Sequence, residues 1–277
     1  MNTKESVKSF LMNQRQQAFP FPFQFPFPFP FQFPFLFPFL FLSCTNPPHT
    51  LTIATAANMQ FAMADITKKF TQQTNIKTNL IISSSGKLTA QIKEGAPYDI
   101  LVSANMKYPN EIQQFKLAAT KPKVYAYGKL ILWSTQKYTT PSIEILSSEK
   151  IKHIALANPK TAPYGQAAID ILKHHGIYET VESKLVYGES IAQTNQFITS
   201  GAAEIGFTAK SVVLSKEMNG KGEWFEPAPN TYTQIEQGIV RIKRKHDVQN
   251  EARQFYDFMF SAEAKKILTE FGYAVDE

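Results

Sequence analysis

The stretch IISSSGKLTAQIKEGAPYDILVSAN, residues 81–105, places strand-like and helix-like patterns side by side. It opens on the end of an apolar run, and after the serines Leu88 and Ile92 lie four residues apart, as on the buried face of a helix. Gly95-Ala96-Pro97 then predicts a turn, and residues 99–102 predict a buried strand. A strand, a helix and a further strand in this order predict a parallel β-α-β unit.

The same alternation continues on both sides of this unit. Predicted strands lie at residues 51–55, 76–82, 99–102, 124–133, 151–157, 184–187, 204–208 and 237–243. Helices with one apolar face separate most of them, and two more helices close the chain, the last one capped by Ser261 and ended by Gly272. We therefore predict the α/β class, with two lobes that each contain a mostly parallel sheet flanked by helices and a ligand cleft between them.

The alternation restarts after the long strand at residues 124–133, which sets the predicted lobe limits. Lobe 1 comprises residues 50–133 and 236–277, and lobe 2 comprises residues 134–235. In open parallel sheets, ligands bind at the carboxyl ends of the strands. We therefore expect the binding site at the strand-to-helix junctions that face the cleft.

Residues 1–43 differ in composition from the rest of the chain. Residues 19–42 form a low-complexity repeat that holds 12 of the 23 phenylalanines and 7 of the 17 prolines. Proline at alternate positions excludes a regular helix, because its ring removes an amide donor and clashes with the preceding turn. Basic residues followed by the apolar repeat have the order of a secretory signal. We predict that residues 1–43 are a targeting segment and that residues 44–49 are a linker.

Cys44 is the single cysteine of the chain, which excludes an intrachain disulfide and a cysteine-rich metal site. Phe41-Leu42-Ser43-Cys44 resembles a bacterial lipobox, in which the cysteine carries the lipid. An incidental thiol is the alternative, but the position of Cys44 between the apolar repeat and a polar linker favours lipidation. We expect a protein of the periplasm or of the outer face of the cell membrane, with the lipid as its only membrane anchor.

Charge and histidine content argue against two other classes of function. The net charge of +6 falls to about +4 without residues 1–43. The basic run RIKRKH, residues 241–246, lacks the interleaved aromatic residues of a nucleic-acid platform, so we expect no nucleic-acid partner. The five histidines are scattered, and the adjacent His174 and His175 point in different directions on a helix, which argues against a histidine metal site. We expect no cofactor.

Four strand-to-helix junctions can be identified, two in each predicted lobe. They are residues 56–58, 83–86, 159–165 and 188–191. Each offers backbone amides at a helix N-terminus, where the helix dipole also favours negative charge. Asn58, Ser85 and Tyr164 add uncharged side-chain donors. We expect closure of the lobes to bring all four junctions around one anion.

Several longer stretches carry a family resemblance. TIATAANMQFAMADITKKF, SSSGKLTAQIKEGAPYDILVSA, NPKTAPYGQAA and EIGFTAKS resemble the periplasmic molybdate-binding proteins of ABC importers, and the similarity covers about residues 51–273. The resemblance implies the two-lobed periplasmic binding protein fold and a monomer that is not an enzyme. It also implies molybdate or tungstate as the ligand and an ABC transporter permease as the partner.

The resemblance also implies individual roles. Asn58, with its neighbour Ala57, stands where the family has its first-lobe Ser or Asn, and Ser85 matches a pocket serine. Tyr164 falls at a position that binds ligand in some members, and Ile191 corresponds to a residue that binds through its backbone amide. These groups contact the oxygens of the oxyanion, and none is a direct metal ligand. The chain departs from some members at Ala209, where they carry a ligand-contacting Tyr.

A site with uncharged donors suits a fully deprotonated tetrahedral dianion, because each hydrogen bond to a charged acceptor is worth about 1.5–3 kcal/mol. Hydrogen phosphate needs an acceptor for its proton and is disfavoured. Sulfate or another tetrahedral oxyanion remains the alternative ligand, because only cavity size separates it from molybdate. An organic acid is less suited, because no junction supplies an arginine.

An acyl-serine enzyme is the alternative of a different class. Ser84 and Lys87 satisfy S-x-x-K, Ser103-Ala104-Asn105 satisfies S-x-N, and Lys160-Thr161-Ala162 resembles K-T-G, in the order found in penicillin-binding proteins. Such short patterns recur by chance, however, and Lys87 and Ser103 lie closer together than that fold usually allows. The alternation of strands and helices also predicts two matched lobes, which disfavours the enzyme.

Overall fold

The computed structural model describes residues 50–244 and 249–276, which belong to one compact unit. The predictions on residues 1–43, on the linker 44–49 and on Cys44 lie outside the described residues. The strands are β1 (Leu51–Ala56), β2 (Thr78–Ser83), β3 (Ile100–Ser103), β4 (Lys123–Gly128), β5 (Leu130–Ser134), β6 (Ile154–Ala157), β7 (Leu185–Gly188), β8 (Ile205–Ala209), β9 (Glu223–Phe225) and β10 (Ile235–Arg241).

The α-helices alternate with these strands along most of the chain. They are α1 (Gln60–Thr74), α2 (Ser85–Lys93), α3 (Lys107–Gln114), α4 (Pro163–His174), α5 (Tyr178–Val181), α6 (Ile191–Thr199), α7 (Lys210–Val213), α8 (Gln249–Phe258) and α9 (Ala262–Glu270). A short 3-10 helix, Ala57–Met59, precedes α1. Within the described ranges, none of these helices has both the length and the apolar character needed to cross a membrane.

The strands form two five-stranded sheets, one in each lobe. The first sheet has the order β2-β1-β3-β10-β4, in which β1 pairs in parallel with β2 and β3 while β10 runs antiparallel to both of its neighbours. The second has the order β7-β6-β8-β5-β9, in which β6 pairs in parallel with β7 and β8 while β5 is antiparallel. The predicted α/β class and its two-lobed arrangement are confirmed.

The single strand predicted over residues 124–133 is wrong. β4 belongs to the first sheet and β5 to the second, and only Lys129 separates them. The chain crosses between the lobes here without reversing direction, so it needs no turn residues; β5 is buried throughout and β4 is half buried. The apolar pattern therefore runs on without a break. The chain passes from the first sheet to the second at Lys129, four residues before the predicted limit of lobe 1 at residue 133. The predicted limits of the lobes remain predictions.

Both faces of the first sheet are covered by helices. On one face Phe70 of α1 meets Phe255 of α8 in an edge-to-face contact with ring centroids 5.0 Å apart, and on the other Leu88 of α2 packs in a cluster with Ile112 of α3. Such packing fixes the first-lobe helices against the strands whose carboxyl ends face the cleft. Ser261 caps α9 as predicted, since its hydroxyl accepts a hydrogen bond from the amide of Ala264 at 3.2 Å.

Candidate oxyanion site

A small cavity lies where the carboxyl ends of β1 and β3 meet the N-termini of α2, α4 and α6. Ten residues line it: Ala56, Ala57, Asn58, Ser84, Ser85, Ala104, Ala162, Pro163, Tyr164 and Ile191. All four predicted junctions contribute, and the five residues proposed from the sequence as ligand contacts are among the ten. None of these ten side chains carries a charge. The cavity measures about 10 Å³, which is room for about one water-sized sphere.

Backbone amides converge on this cavity from both lobes. Ala57 begins the 3-10 helix, and α2, α4 and α6 begin at Ser85, Pro163 and Ile191. The first amides of a helix have no acceptor within that helix, and together with the helix dipole they give its N-terminus a partial positive charge. Proline at the first position of α4 costs nothing there, because that amide has no acceptor within the helix in any case. The cavity is therefore positive without containing a cationic side chain.

Ser85 is buried and has one fixed partner. Its side-chain oxygen accepts a hydrogen bond from the backbone amide of Ala104 at 2.9 Å. That bond occupies a lone pair and leaves the hydroxyl proton free to be donated to another acceptor. Ser85 is therefore oriented by lobe 1 as a donor on the cavity wall.

Tyr164 supplies a second hydroxyl from lobe 2. Its side chain is 1% exposed, and its hydroxyl makes no well-aligned hydrogen bond. Burial raises the pKa of Tyr164 well above its ordinary value, and the nearby Tyr273 adds to that effect. The hydroxyl therefore stays protonated at neutral pH and remains a hydrogen-bond donor, with the hydroxyl of Tyr273 as its neighbour in the protein.

Ser84 is a feature that the sequence analysis missed. It is the N-cap residue of α2, yet its side chain makes no capping bond, and its buried hydroxyl has no partner. A free side chain at the N-cap is unusual, because a serine there usually binds an amide of the first turn. The pattern of three serines signalled the junction but did not distinguish Ser84 from Ser85.

Asn58 lies at the cavity, but its side chain is not the free donor that was predicted. Its amide nitrogen donates to the side-chain oxygen of Gln237 at 2.9 Å and to the hydroxyl of Tyr273 at 3.0 Å. Both amide hydrogens are thus used inside lobe 1, because β10 and the chain after α9 pass beside the 3-10 helix. The carbonyl of Asn58 also accepts from Ser211 of lobe 2 at 2.8 Å. In this geometry Asn58 holds its own segment in place.

Direct contacts close the two lobes around the cavity. The amide of Gly86 in α2 donates to the carbonyl of Thr161 at 2.9 Å, and the hydroxyl of Tyr108 donates to the carbonyl of Lys160 at 3.3 Å. At the rim, Lys87 of lobe 1 forms an ion pair with Glu189 of lobe 2. The ammonium group that the acyl-serine hypothesis requires as a neighbour of Ser84 is therefore bound to a carboxylate of the other lobe.

The described residues also contain no group of three or more His, Cys, Asp or Glu side chains that could hold a metal ion. What the site presents is a set of uncharged donors, and such donors select an anion through its oxygens. An anion held in this way needs no metal–ligand bond, and a buried carboxylate at the site would oppose it.

Comparison with known proteins agrees with this geometry. The model of the family "Bacterial extracellular solute-binding protein" matches residues 51–274. The chain is 34% identical over 224 residues to the molybdate-binding protein ModA of Rhodobacter capsulatus, covering 80% of this chain and 87% of the relative. It is 33% identical to ModA of Azotobacter vinelandii over 84% of this chain and 93% of that protein.

A solved structure extends the similarity to three dimensions. The periplasmic molybdate-binding protein of Azotobacter vinelandii superposes with a TM-score of 0.78 at 31% sequence identity, covering 82% of this chain and 100% of that chain. The family model spans the folded part of the chain, and the relatives are more than 30% identical to it over most of their length. Together these matches assign the chain to a family. The chain belongs to the bacterial extracellular solute-binding proteins, together with the molybdate-binding proteins ModA.

Proposed function

We propose that this protein captures molybdate, and tungstate by the same geometry, outside the cytoplasm and delivers it to an ABC transporter permease. The observation that carries the proposal is the cavity itself, whose donors come from both lobes and whose ten lining residues include no charged side chain. The names of the similar Rhodobacter and Azotobacter proteins support the choice of ligand. Membership of a solute-binding family supports binding over catalysis.

The size of the cavity supports a closure mechanism. Room for one water-sized sphere is less than a tetrahedral oxyanion needs, so the anion enters only when the lobes part. The contacts between Gly86 and Thr161 and between Lys87 and Glu189 then break and re-form around the bound ligand. Rotation about the two chain crossings, near Lys129 and at the start of β10, is the hinge motion that this connectivity allows.

Titration calorimetry with four anions tests the ligand assignment. Molybdate and tungstate are expected to bind, whereas hydrogen phosphate is expected to bind at least 100-fold more weakly. The physical reason is that its proton faces only donors and leaves one hydrogen bond unmade, at a cost of a few kcal/mol. Sulfate is the informative competitor, since it carries the same charge and no proton. Sulfate binding tighter than molybdate would show that the protein serves sulfate instead.

The variant Ser84→Ala tests whether Ser84 contacts the ligand or has only a structural role. We expect the variant to bind molybdate about 10-fold more weakly, because one hydrogen bond to a charged acceptor is lost. Its melting temperature should stay the same or rise, because the buried hydroxyl has no partner in the protein. Ser215→Ala is the matched control, since Ser215 is buried, bonded to the carbonyl of Val212 at 2.7 Å and outside the cavity. An unchanged affinity in Ser84→Ala would remove Ser84 from the site.

We also propose that the mature protein begins at Cys44 and is held at the outer face of the cell membrane by a lipid on that residue. The support is the sequence Phe41-Leu42-Ser43-Cys44 behind a basic and apolar leader. The mass of the mature N-terminal peptide distinguishes a lipidated Cys44 from a free thiol. In solution the protein acts as a monomer in this proposal, since one chain supplies both lobes of the site.

A further inference from the structure

The excess positive charge of the folded part lies entirely in lobe 1. Residues 129–234, which run from the first chain crossing to the second, carry ten Lys and Arg against ten Asp and Glu. The rest of residues 50–277 carries sixteen basic against twelve acidic residues. If the excess of basic residues were spread evenly over the protein, each lobe would carry part of it. Because it is confined to lobe 1, we ask where on lobe 1 these basic residues lie.

Many of these cations gather at the end of the first sheet that is opposite the cleft. Lys77 precedes β2, Lys116 follows α3, Lys121 and Lys123 stand at the start of β4, and Lys243 and Arg244 follow β10. We call these six residues the basic end. Parallel strands β1, β2 and β3 begin there and finish at the cleft, so the basic end and the oxyanion site occupy opposite edges of one sheet.

Backbone contacts show that these segments are neighbours. The amide of Lys243 donates to the carbonyl of Leu117 at 2.7 Å, and the amide of Ala119 donates to the carbonyl of Arg241 at 2.8 Å. Lys243 and Arg244 also line a concavity of about 420 Å³ whose other walls are mainly apolar, including Ile92 and Leu117. That volume lies within the range of small-ligand sites.

Ion pairs with nearby carboxylates neutralise only part of the positive charge at the basic end. Asp99 pairs with Arg244 at 3.4 Å, and Glu111 pairs with the nearby Lys93 at 2.8 Å. Of the described carboxylates, none forms an ion pair with the five lysines of the basic end, and all five are exposed. A cation after a helix is stabilised by the helix dipole, which explains Lys116. It does not explain the cations that flank β4 and β10.

The chain enters lobe 1 at this same end. The amide of Leu51, the first residue of β1, donates to the carbonyl of Lys77 at 2.9 Å. Cys44 lies seven residues earlier in the sequence, and seven residues span at most about 25 Å when fully extended. A lipid on Cys44 therefore limits the distance between the bilayer and the start of β1, which lies at the same end of the sheet as Lys77.

We propose that the basic end is a docking surface for anionic phospholipid headgroups. The proposal rests on the proposed membrane location, and it places the basic end of the tethered protein against the lipid surface. Lysine and arginine side chains near an anionic surface each contribute about fivefold to binding, and ions in solution screen that attraction. One headgroup binds in the concavity that Lys243 and Arg244 line, against its apolar wall.

Vesicle co-sedimentation tests the proposal on residues 50–277. This part is expected to fold by itself, because it matches the solved Azotobacter protein over that protein's whole length. The protein should bind vesicles of phosphatidylglycerol and phosphatidylcholine but not vesicles of phosphatidylcholine alone. The triple variant Lys77→Gln, Lys116→Gln, Lys243→Gln should lose on the order of 100-fold in partitioning. The matched control is Lys137→Gln, Lys150→Gln, Lys216→Gln, three exposed lysines of lobe 2, and it should partition almost as the parent does.

Equal losses in the two triple variants, or no preference for anionic vesicles, would overturn the docking surface. A basic-end variant that loses heparin or DNA binding but keeps vesicle binding would also overturn the docking surface, because the partner of the basic end would then be a different polyanion. Calorimetry with molybdate on both variants keeps the two proposals apart. Unchanged molybdate binding alongside lost vesicle binding supports the docking surface, whereas a parent protein that binds vesicles but no molybdate contradicts only the proposed function.

Discussion

Tyr164→Phe is expected to weaken molybdate binding by roughly 10- to 150-fold and to leave the melting temperature almost unchanged. One hydrogen bond to a charged acceptor is worth about 1.5–3 kcal/mol, which sets the range. Stability should change little, because the Tyr164 hydroxyl makes no well-aligned hydrogen bond within the protein, and its neighbour Tyr273 keeps its bonds to Asn58 and Ser211. The ring, which is packed in the core of lobe 2, is kept by phenylalanine. Titration calorimetry and a thermal melt on the same sample measure both quantities.

Ser85→Ala provides the contrasting variant. A similar loss of affinity is expected, but here stability should fall as well, by about 1–3 kcal/mol, because the buried amide of Ala104 loses its acceptor. Tyr138→Phe serves as the control for tyrosine substitution, since Tyr138 is 98% exposed and does not line the cavity. Molybdate affinity that survives both Tyr164→Phe and Ser85→Ala would place the ligand somewhere else in the molecule.

The architecture follows from the sequence because the alternation of apolar runs and amphipathic segments is local information. Each buried strand and each helix face can be recognised within a window of some ten residues, and right-handed β-α-β connections leave few ways to assemble them. The junctions follow for the same reason. Ser83-Ser84-Ser85-Gly86 stands between a strand and a helix, and the order of parallel strands then carries that junction to the cleft.

The use of each polar side chain does not follow from the sequence, because its partner lies far away along the chain. The amide of Asn58 is taken up by Gln237, 179 residues later, and by Tyr273, 215 residues later. Ser85 is fixed by the amide of Ala104, whereas the adjacent Ser84 is left without a partner. Which of two neighbouring serines is free depends on backbone positions that only the folded sheet defines.

Some short or polar elements were not predicted for a different reason, α3 and β9 among them. α3 (Lys107–Gln114) contains Pro109 and has few apolar residues, so the sequence gives little sign of a buried helix, and the helix is held in place by packing of Tyr108 and Ile112. β9 is three exposed residues at an edge, and its pairing with β5 defines it as a strand. In both, tertiary contacts override a weak local preference.

Gly128→Ala is expected to lower molybdate affinity as much as the loss of the Tyr164 hydroxyl does, although residue 128 does not line the cavity. A methyl group on Gly128 would overlap the hydroxyl of Tyr164 and would lie 2.6 Å from the side-chain nitrogen of Gln237 and 3.1 Å from Cζ of Tyr164. Tyr164 is 1% exposed and packed in the core of lobe 2, so relief of this overlap displaces its hydroxyl from the position that it occupies in the parent protein. Overpacking of this kind also costs about 1–3 kcal/mol of stability.

The double variant Gly128→Ala, Tyr164→Phe decides whether the two residues act together. Phenylalanine removes the atom that the methyl group overlaps, so the double variant should bind molybdate about as well as Tyr164→Phe alone and should regain part of the stability lost in Gly128→Ala. Calorimetry on the four proteins gives the coupling energy directly. If the two affinity losses instead multiply, Gly128 acts through another route, such as the hinge beside it at Lys129. Strong coupling means that a glycine at the end of β4, in lobe 1, leaves the space that a lobe 2 hydroxyl needs to reach the anion.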